Sequence, residues 1–327
     1  MAGYEARAFW VRSPGSGEIR AETLPEPGPG DVLVRTLYTG VSRGTESLVF
    51  RGEVPPSQYA AMRAPHQDGE FPGPVKYGYL NVGVVEQGPD ELRNTTVFGL
   101  YPHQTAYVAR ASDVMGVPVN VPARRAVLAG TVETAVNAVW DAAPLVGDRI
   151  TVVGAGMVGC CIAALAARFP GADVEVVDVQ EERAVVVERL GARFVTPAAA
   201  TAGRDLVFHA SATAAGLNRS LELLAREGTV IELSWYGDRE VSVRLGAAFH
   251  SGRLSIRSSQ VGLVAPARRS TRGYGDRLAL ALELLHDPAY DALITSESTF
   301  DRLPEVLDAM ARGDRQGLCH VVTYTGV

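Results

Sequence analysis

The chain has 327 residues, 46% of them hydrophobic and 21% charged, ordinary values for a globular enzyme large enough for two cored domains. Its formal net charge of −6 argues against a nucleic-acid or anionic-membrane binder, and no apolar run reaches the roughly 20 residues that span a bilayer. The N-terminal MAGYEARAFW lacks a secretory pattern, and Cys160, Cys161 and Cys319 follow no disulfide framework, so a cytoplasmic setting is expected.

In chain order, the first 120 residues predict an irregular β-rich region. Short alternating or β-branched runs over 6–11, 31–38, 82–86 and 106–109 are separated by clusters such as LPEPGPG and FPGP. Helical spacing then runs over 123–142, and Pro144 and Gly147 end it. From Asp148 the texture changes: RITVVGAGMVGCCIAALAARF reads as a buried strand, a glycine turn and an apolar helix. VEVVDV is a second strand and 181–190 a second helix. DLVFHAS, a helix over 217–224, TVIELSW and LSIRSSQ follow. Strands alternating with helices in this way predict an α/β, doubly wound parallel sheet. Beyond residue 277, helices over 278–285 and 303–311 alternate with strands around 292–295 and 320–324. Before them, PARRSTRGYGDR gathers Arg268, Arg269, Arg272 and Arg277, read as a solvated loop or as a contact for an anionic substrate or partner chain.

Gly154-Ala155-Gly156-Met157-Val158-Gly159 fits G-x-G-x-x-G, and it follows the strand ITVV and opens a helix. In that setting one glycine makes the turn, one admits a pyrophosphate to the backbone, and one lets helix and strand pack closely. The helix N-terminus then holds the diphosphate. Asp178, 19 residues after Gly159, ends the second strand, where a carboxylate accepts from ribose hydroxyls and repels a 2′-phosphate; NAD is the expected cofactor. The plainer reading of Asp178 is a cap for the helix at Glu181. Arg183 either approaches the adenosine or is a solvated helix residue.

With this domain second, nearly the whole chain resembles the medium-chain dehydrogenase/reductase superfamily, of alcohol dehydrogenase-like fold. The resemblance rests on GVSRGTES, PVKYGYLNVGVVEQGP, VFGLYPHQTAYV, the helix before GDRITVVGAGMVG, and the closing FDRLPEVLDAMARGD and HVVTY. It implies a GroES-like β-rich catalytic domain over 1–143 and 267–327 and a Rossmann domain over 144–266, with the active site in the cleft between them. Zinc-using relatives carry a cysteine in the first segment, a Gly-His-Glu in the second and a third ligand in the helix before the Rossmann domain. Here Ser42 and Arg43 replace the thiolate, Tyr79 and Leu80 replace histidine and glutamate, and Glu133 alone matches a carboxylate ligand. No cysteine occurs before Cys160, so a cysteine-rich structural lobe is absent as well, and no metal is expected.

Something must then stabilise the charge that zinc would hold at the reacting oxygen. Tyr79 is one candidate acid, with Lys76 able to lower its pKa; a satisfied core tyrosine is the alternative. Thr45 and Glu46 match a relay step of the family, although Glu46 could instead pair with Arg43. His103, in LYPHQ, is a second proton-transfer candidate against a structural histidine. Ser211, Trp235, Tyr236 and Ser259 follow strand ends and are expected along the cofactor. A strand-end Trp and Tyr suggest a flat or aromatic substrate, their alternative being strand packing.

The leading expectation is a zinc-independent NAD(H) dehydrogenase interconverting a secondary alcohol and a ketone on a small molecule. SRGTE and PVKYGY are similar to segments of bacteriochlorophyllide-type dehydrogenases. An enoyl or quinone reductase and a non-catalytic NAD-binding sensor are the alternatives. Neither nucleic acid nor membrane is an expected partner, and a homodimer is expected, with LSIRSSQVG as a candidate sheet edge.

Overall fold

Alternating burial along Tyr4–Ser13 (β1), with Ala6, Ala8, Phe9 and Val11 inward, pairs it antiparallel with Ser16–Leu24 (β2) across a tight hairpin. These strands open the computed structural model, which describes residues 3–324. It divides into two units: one runs to Gly130 and adds Leu282–His286 and the segment from Ile294, and the other comprises Thr131–Ala281 and Asp287–Leu293.

The first unit is organised around Asp31–Val41 (β3), whose Val32, Val34 and Val41 are fully buried. Ser42 alone separates β3 from the helix Arg43–Arg51 (α1), which buries Glu46, Ser47, Leu48, Val49 and Phe50. Asp68–Gly69 (β4) and Val75–Lys76 (β5) complete a small sheet in the order β2-β1-β5-β4. Asn81–Gln87 (β6), Thr96–Gly99 (β7), Ala106–Arg110 (β8) and Val114–Gly116 (β9) extend the main sheet, with β6 and β8 both pairing antiparallel to β3.

The single helix predicted over 123–142 is two helices, Ala123–Ala126 (α2) and Ala129–Ala142 (α3). Leu128 N–H bonds the carbonyl of Arg125, three residues back, so the ladder tightens and restarts.

In the second unit, Arg149–Val153 (β10), Met157–Ala166 (α4), Asp173–Val177 (β11), Ala184–Arg189 (α5) and Arg193–Val195 (β12) form the first half of the sheet. Arg204–His209 (β13), Ala214–Leu223 (α6), Leu224–Glu232 (β14), Ala248–Ser251 (α7) and Ser255–Ser258 (β15) form the other, and Tyr274–Leu284 (α8) leads out. The order β12-β11-β10-β13-β14-β15, all parallel, is the 3-2-1-4-5-6 arrangement whose chain reversal lies between β10 and β13. Val153 and His209 are paired there, at the carboxyl ends.

The chain then returns as Ile294–Thr299 (β16), Leu303–Arg312 (α9) and Cys319–Thr323 (β17), with β17 antiparallel to β3. The units divide at Gly130 and Ala281, where the sequence suggested 143 and 267. Arg277 explains the shift. Far from lying in a solvated basic loop or on an anion, it is buried on Glu133 (3.0 Å) and Asn137 (2.6 Å) and bonds the carbonyls of Val261 and Leu263, tying α3 and α8 to the parallel sheet's own loops. Arg268, Arg269 and Arg272 are exposed. Among the described residues no helix is long and apolar enough to cross a membrane.

Candidate cofactor and proton-transfer sites

In the second unit β10 delivers the chain to Gly154 at φ +110°, and a Cβ there would stand 2.8 Å from Ser211 N. A Cβ on Gly159 would stand 1.9 Å from the carbonyl oxygen of Gly154, so the helix starts against its own strand only because this position is glycine. Gly156, by contrast, faces open space, with Met157 and Val158 half-buried beside it in the first turn of α4. The first N–H groups of that helix have no intrahelical acceptor, and Cys160 makes the first bond back, to Gly156. The turn therefore offers donors and space to a phosphate.

Asp178 follows β11 and is engaged from three sides. Its Oδ2 accepts from Ala155 N–H at 2.7 Å and faces Arg183 Nη1 at 3.4 Å, and its Oδ1 accepts from Gln180 N–H at 2.9 Å. It thus holds the glycine turn and also forms the local turn into the next helix, with lone pairs left over for an outside donor. Arg183 is an ion-pair partner here rather than a solvated residue, with 14% of its side chain exposed.

The remaining cofactor candidates separate. Ser211 Oγ is hydrogen-bonded to His209 Nε2 at 2.7 Å, and Tyr236 donates to Glu232 at 3.2 Å, so these two belong to one cluster at the ends of β13 and β14. Ser259 turns away from it and donates to Asp141 at 2.7 Å. Trp235 is half-buried in the same loop as Tyr236.

In the first unit, Thr45, Glu46, Tyr79 and His103 come together. Glu46 Oε1 accepts from Ser42 N–H at 2.7 Å, closing the start of α1, and Oε2 meets His103 Nε2 at 2.8 Å. His103 Nδ1 meets Thr39 Oγ1 at 2.6 Å, and Thr39 in turn reaches the Tyr324 hydroxyl at 3.1 Å. The pair is deeply buried, at 4% and 1% exposed. Glu46 therefore closes the first turn of α1 and also bonds His103. Tyr79 is half-buried. Burial raises its phenol to about 12, Glu46 adds to the rise, and hydrogen bonds with Ser42 and Thr45 oppose it. Lys76 does not lower it: its ammonium pairs with Glu22 at 2.8 Å and sits over Trp10.

Residues 122–225 match the family model for the alanine dehydrogenase/PNT C-terminal domain. Over 71 residues the chain is 39% identical to a 2-desacetyl-2-hydroxyethyl bacteriochlorophyllide A dehydrogenase of Cereibacter sphaeroides, spanning 20% of this chain and 18% of that protein. It is 29% identical over 262 residues to an L-threonine 3-dehydrogenase of Streptomyces avermitilis, covering 71% and 70% of the two chains. A solved alcohol dehydrogenase of Escherichia coli CFT073, in complex with NADH, superposes with a TM-score of 0.78 at 16% identity, over 98% of this chain and 100% of that one. The fold is that of the medium-chain dehydrogenases.

On this medium-chain dehydrogenase fold, the positions where zinc ligands were sought hold other chemistry. Ser42 supplies a hydroxyl, Tyr79 a high-pKa phenol and Leu80 a fully buried alkyl chain, while Glu133 is taken by Arg277. Among the described residues no three His, Cys, Asp or Glu side chains stand together as a metal-binding set. Sequence reasoning passed over His209 and Glu232, which sit one on each of two adjacent strands. The available signal was a histidine ending one parallel strand and a glutamate ending the next.

Proposed function

We propose that the protein is an NAD(H)-dependent oxidoreductase that interconverts a secondary alcohol and a ketone without zinc. Asp178 carries the reading. Bonded to the glycine turn through Ala155 N–H, it presents a carboxylate at the end of the second Rossmann strand, suited to a ribose diol and adverse to a 2′-phosphate. That chemistry favours NAD over NADP and weighs against the enoyl-reductase alternative. The bound nicotinamide would supply the hydride acceptor or donor.

Tyr79 is the proposed acid in place of zinc. Its raised pKa keeps the phenol protonated through neutral and mildly alkaline pH, so it acts as a standing hydrogen-bond donor to charge developing on the substrate oxygen. Thr45 and Ser42 orient that phenol, and the buried Glu46–His103 pair fixes the helix that carries Thr45. A donor set of hydroxyl, phenol and alkyl groups at those positions supports the zinc-free reading. Trp235 and Tyr236, half-buried in the loop after β14, support a cyclic or aromatic substrate. The exposed edge strand β15 supports a homodimer, and three buried cysteines held outside disulfides support a cytoplasmic location.

The test is titration of NADH and NADPH into the wild-type protein and Asp178→Ala, read by cofactor fluorescence, with a panel of ketones and enones as substrates. Tighter NADH binding that Asp178→Ala weakens, together with ketone turnover, is the expected result. Equal affinity for both cofactors in both proteins would remove the assignment.

A further inference from the structure

The loop between β15 and α8, residues 259–273, carries Arg268, Arg269 and Arg272 and no acidic side chain. Its neck is clamped. Arg277, buried on Glu133 and Asn137, bonds the carbonyls of Val261 and Leu263. The Tyr274 hydroxyl donates to the carbonyl of Gly262 at 2.9 Å, and Ala265 N–H donates to Asn137 Oδ1 at 3.0 Å. Beyond Ala265 the chain makes a helical turn, in which Arg269 N–H reaches the Ala265 carbonyl and Arg272 N–H that of Arg268. Residues 266–273 are exposed, and among the described residues none of the three guanidinium groups has an ion-pair or hydrogen-bond partner. Exposed arginines elsewhere find carboxylates, as Arg149 does on Asp205 and Arg51 on Glu53.

All strands of this sheet are parallel, so the loop leaves the same end as the Gly154–Gly159 turn. In the order β10-β13-β14-β15 it starts three strands away, roughly 14 Å at the usual strand spacing. The other connections at this end bring no excess of positive charge. Those after β10, β12 and β13 have no charged residue. The one after β11 sets Asp178, Glu181 and Glu182 against Arg183, and the one after β14 balances Asp238 and Glu240 with Arg239 and Arg244. Without the three arginines these connections are net negative, on a chain of net charge −6. That is the wrong sign for a ligand with a diphosphate.

On the reading of Gly154–Gly159 as a dinucleotide site, we propose that Arg268, Arg269 and Arg272 are a steering patch that draws the anionic nicotinamide dinucleotide to this end of the sheet and speeds its capture without holding it once bound. Guanidinium groups stay charged at every working pH, so the effect depends on no titration. Distance and salt set its size. The screening length is about 30 Å at 0.01 M salt and about 8 Å at 0.15 M, so a patch roughly 14 Å away acts in dilute buffer and is largely screened at the higher ionic strength. Three charges acting through water on the dianion of NADH at that distance should raise the association rate roughly five- to tenfold at about 0.01 M salt and less than about twofold at 0.15 M.

Stopped-flow mixing with NADH, read by cofactor fluorescence over that range of salt, separates association from dissociation. In the wild type the association rate should fall as salt rises while the dissociation rate barely moves. The triple variant Arg268→Gln, Arg269→Gln, Arg272→Gln should associate roughly five- to tenfold more slowly in dilute buffer, converge on the wild type at high salt, and keep its dissociation rate. The triple variant Arg268→Lys, Arg269→Lys, Arg272→Lys keeps the charge and should keep the wild-type rate. The three side chains are exposed and bond nothing in the fold, and thermal unfolding checks that both variants are folded. An unchanged association rate in the glutamine variant, a loss that falls on dissociation instead, or a loss shared by the lysine variant overturns the steering patch and leaves the cofactor reading standing. Failure of the wild type to bind NADH at any salt concentration overturns both.

Discussion

The glycine turn of the second unit and the His103 cluster of the first are assembled in opposite ways. The turn is six consecutive residues, and Asp178 joins it from the end of the neighbouring strand through one backbone N–H. In the cluster, His103 reaches Glu46 across 57 positions and Thr39 across 64, and Thr39 reaches Tyr324 across 285. A site made of backbone donors needs only a local sequence that leaves the backbone bare. A site made of buried side chains needs sheet pairings to bring its members together, and β3, β6 and β17 do that here. The first kind binds by default of its geometry; the second ties chemistry to stability.

The largest effect that would break this contrast is expected at Tyr79. Tyr79→Phe removes the donor and little else, and should lower kcat for ketone reduction by about 10²–10⁴-fold with NADH affinity unchanged, as loss of a general acid does. A change of only a few fold would reduce the first unit to scaffold.

His103→Ala probes the stability side. It leaves Glu46 buried without its partner, which should cost about 3–5 kcal/mol in urea unfolding. Adding Glu46→Gln should recover part of that loss, because a neutral amide tolerates burial better than an orphaned carboxylate. If the double variant is as unstable as the sum of the singles, the pair is not coupled.

The same contrast governs what the sequence made legible. Strand, turn and helix over 149–166 were readable because the apolar run and the three glycines constrain the backbone directly. The hairpin strand β2 went unread: most of SGEIRAETL is half-buried or exposed, with no apolar alternation to mark it. Helix α6 begins at Ala214 rather than 217 because Thr213 accepts from Gly216 N–H and caps it early. Tyr79, Thr45, Glu46 and His103 could be named singly from chemistry and resemblance. Their order of contact could not, nor could the preference of Lys76 for Glu22, since charge partners across strands depend on register.

Gly159→Ala sharpens the local half of the comparison. The added methyl meets a backbone carbonyl rather than a flexible side chain, so α4 must shift from β10. Overpacking of this kind costs about 1–3 kcal/mol. NADH binding should weaken more than stability suggests, because the shift moves the phosphate-facing N–H groups, whereas Tyr79→Phe should leave binding alone. Unchanged NADH affinity in Gly159→Ala would mean that the turn is not the phosphate site.

The smallest expected effect lies at His320, on the strand that pairs with β3. Burial, with the like charges of Arg315 and His103 adding to it, lowers its imidazole to about 4, and Ser296 and Ser298 bond its two nitrogens at 2.8 and 2.9 Å. The unfolded chain therefore binds a proton here that the folded chain refuses, between an ordinary histidine value and about 4. Stability is full above the unfolded value and is lost as pH falls through this window. With each unit worth about 1.4 kcal/mol and solvent screening removing part, the loss approaches roughly 2 kcal/mol. Thermal unfolding followed from neutral to mildly acidic pH should show Tm falling in the wild type and falling less in His320→Asn, whose amide can bond the same serines without titrating. Parallel curves for the two proteins would place the acid sensitivity elsewhere.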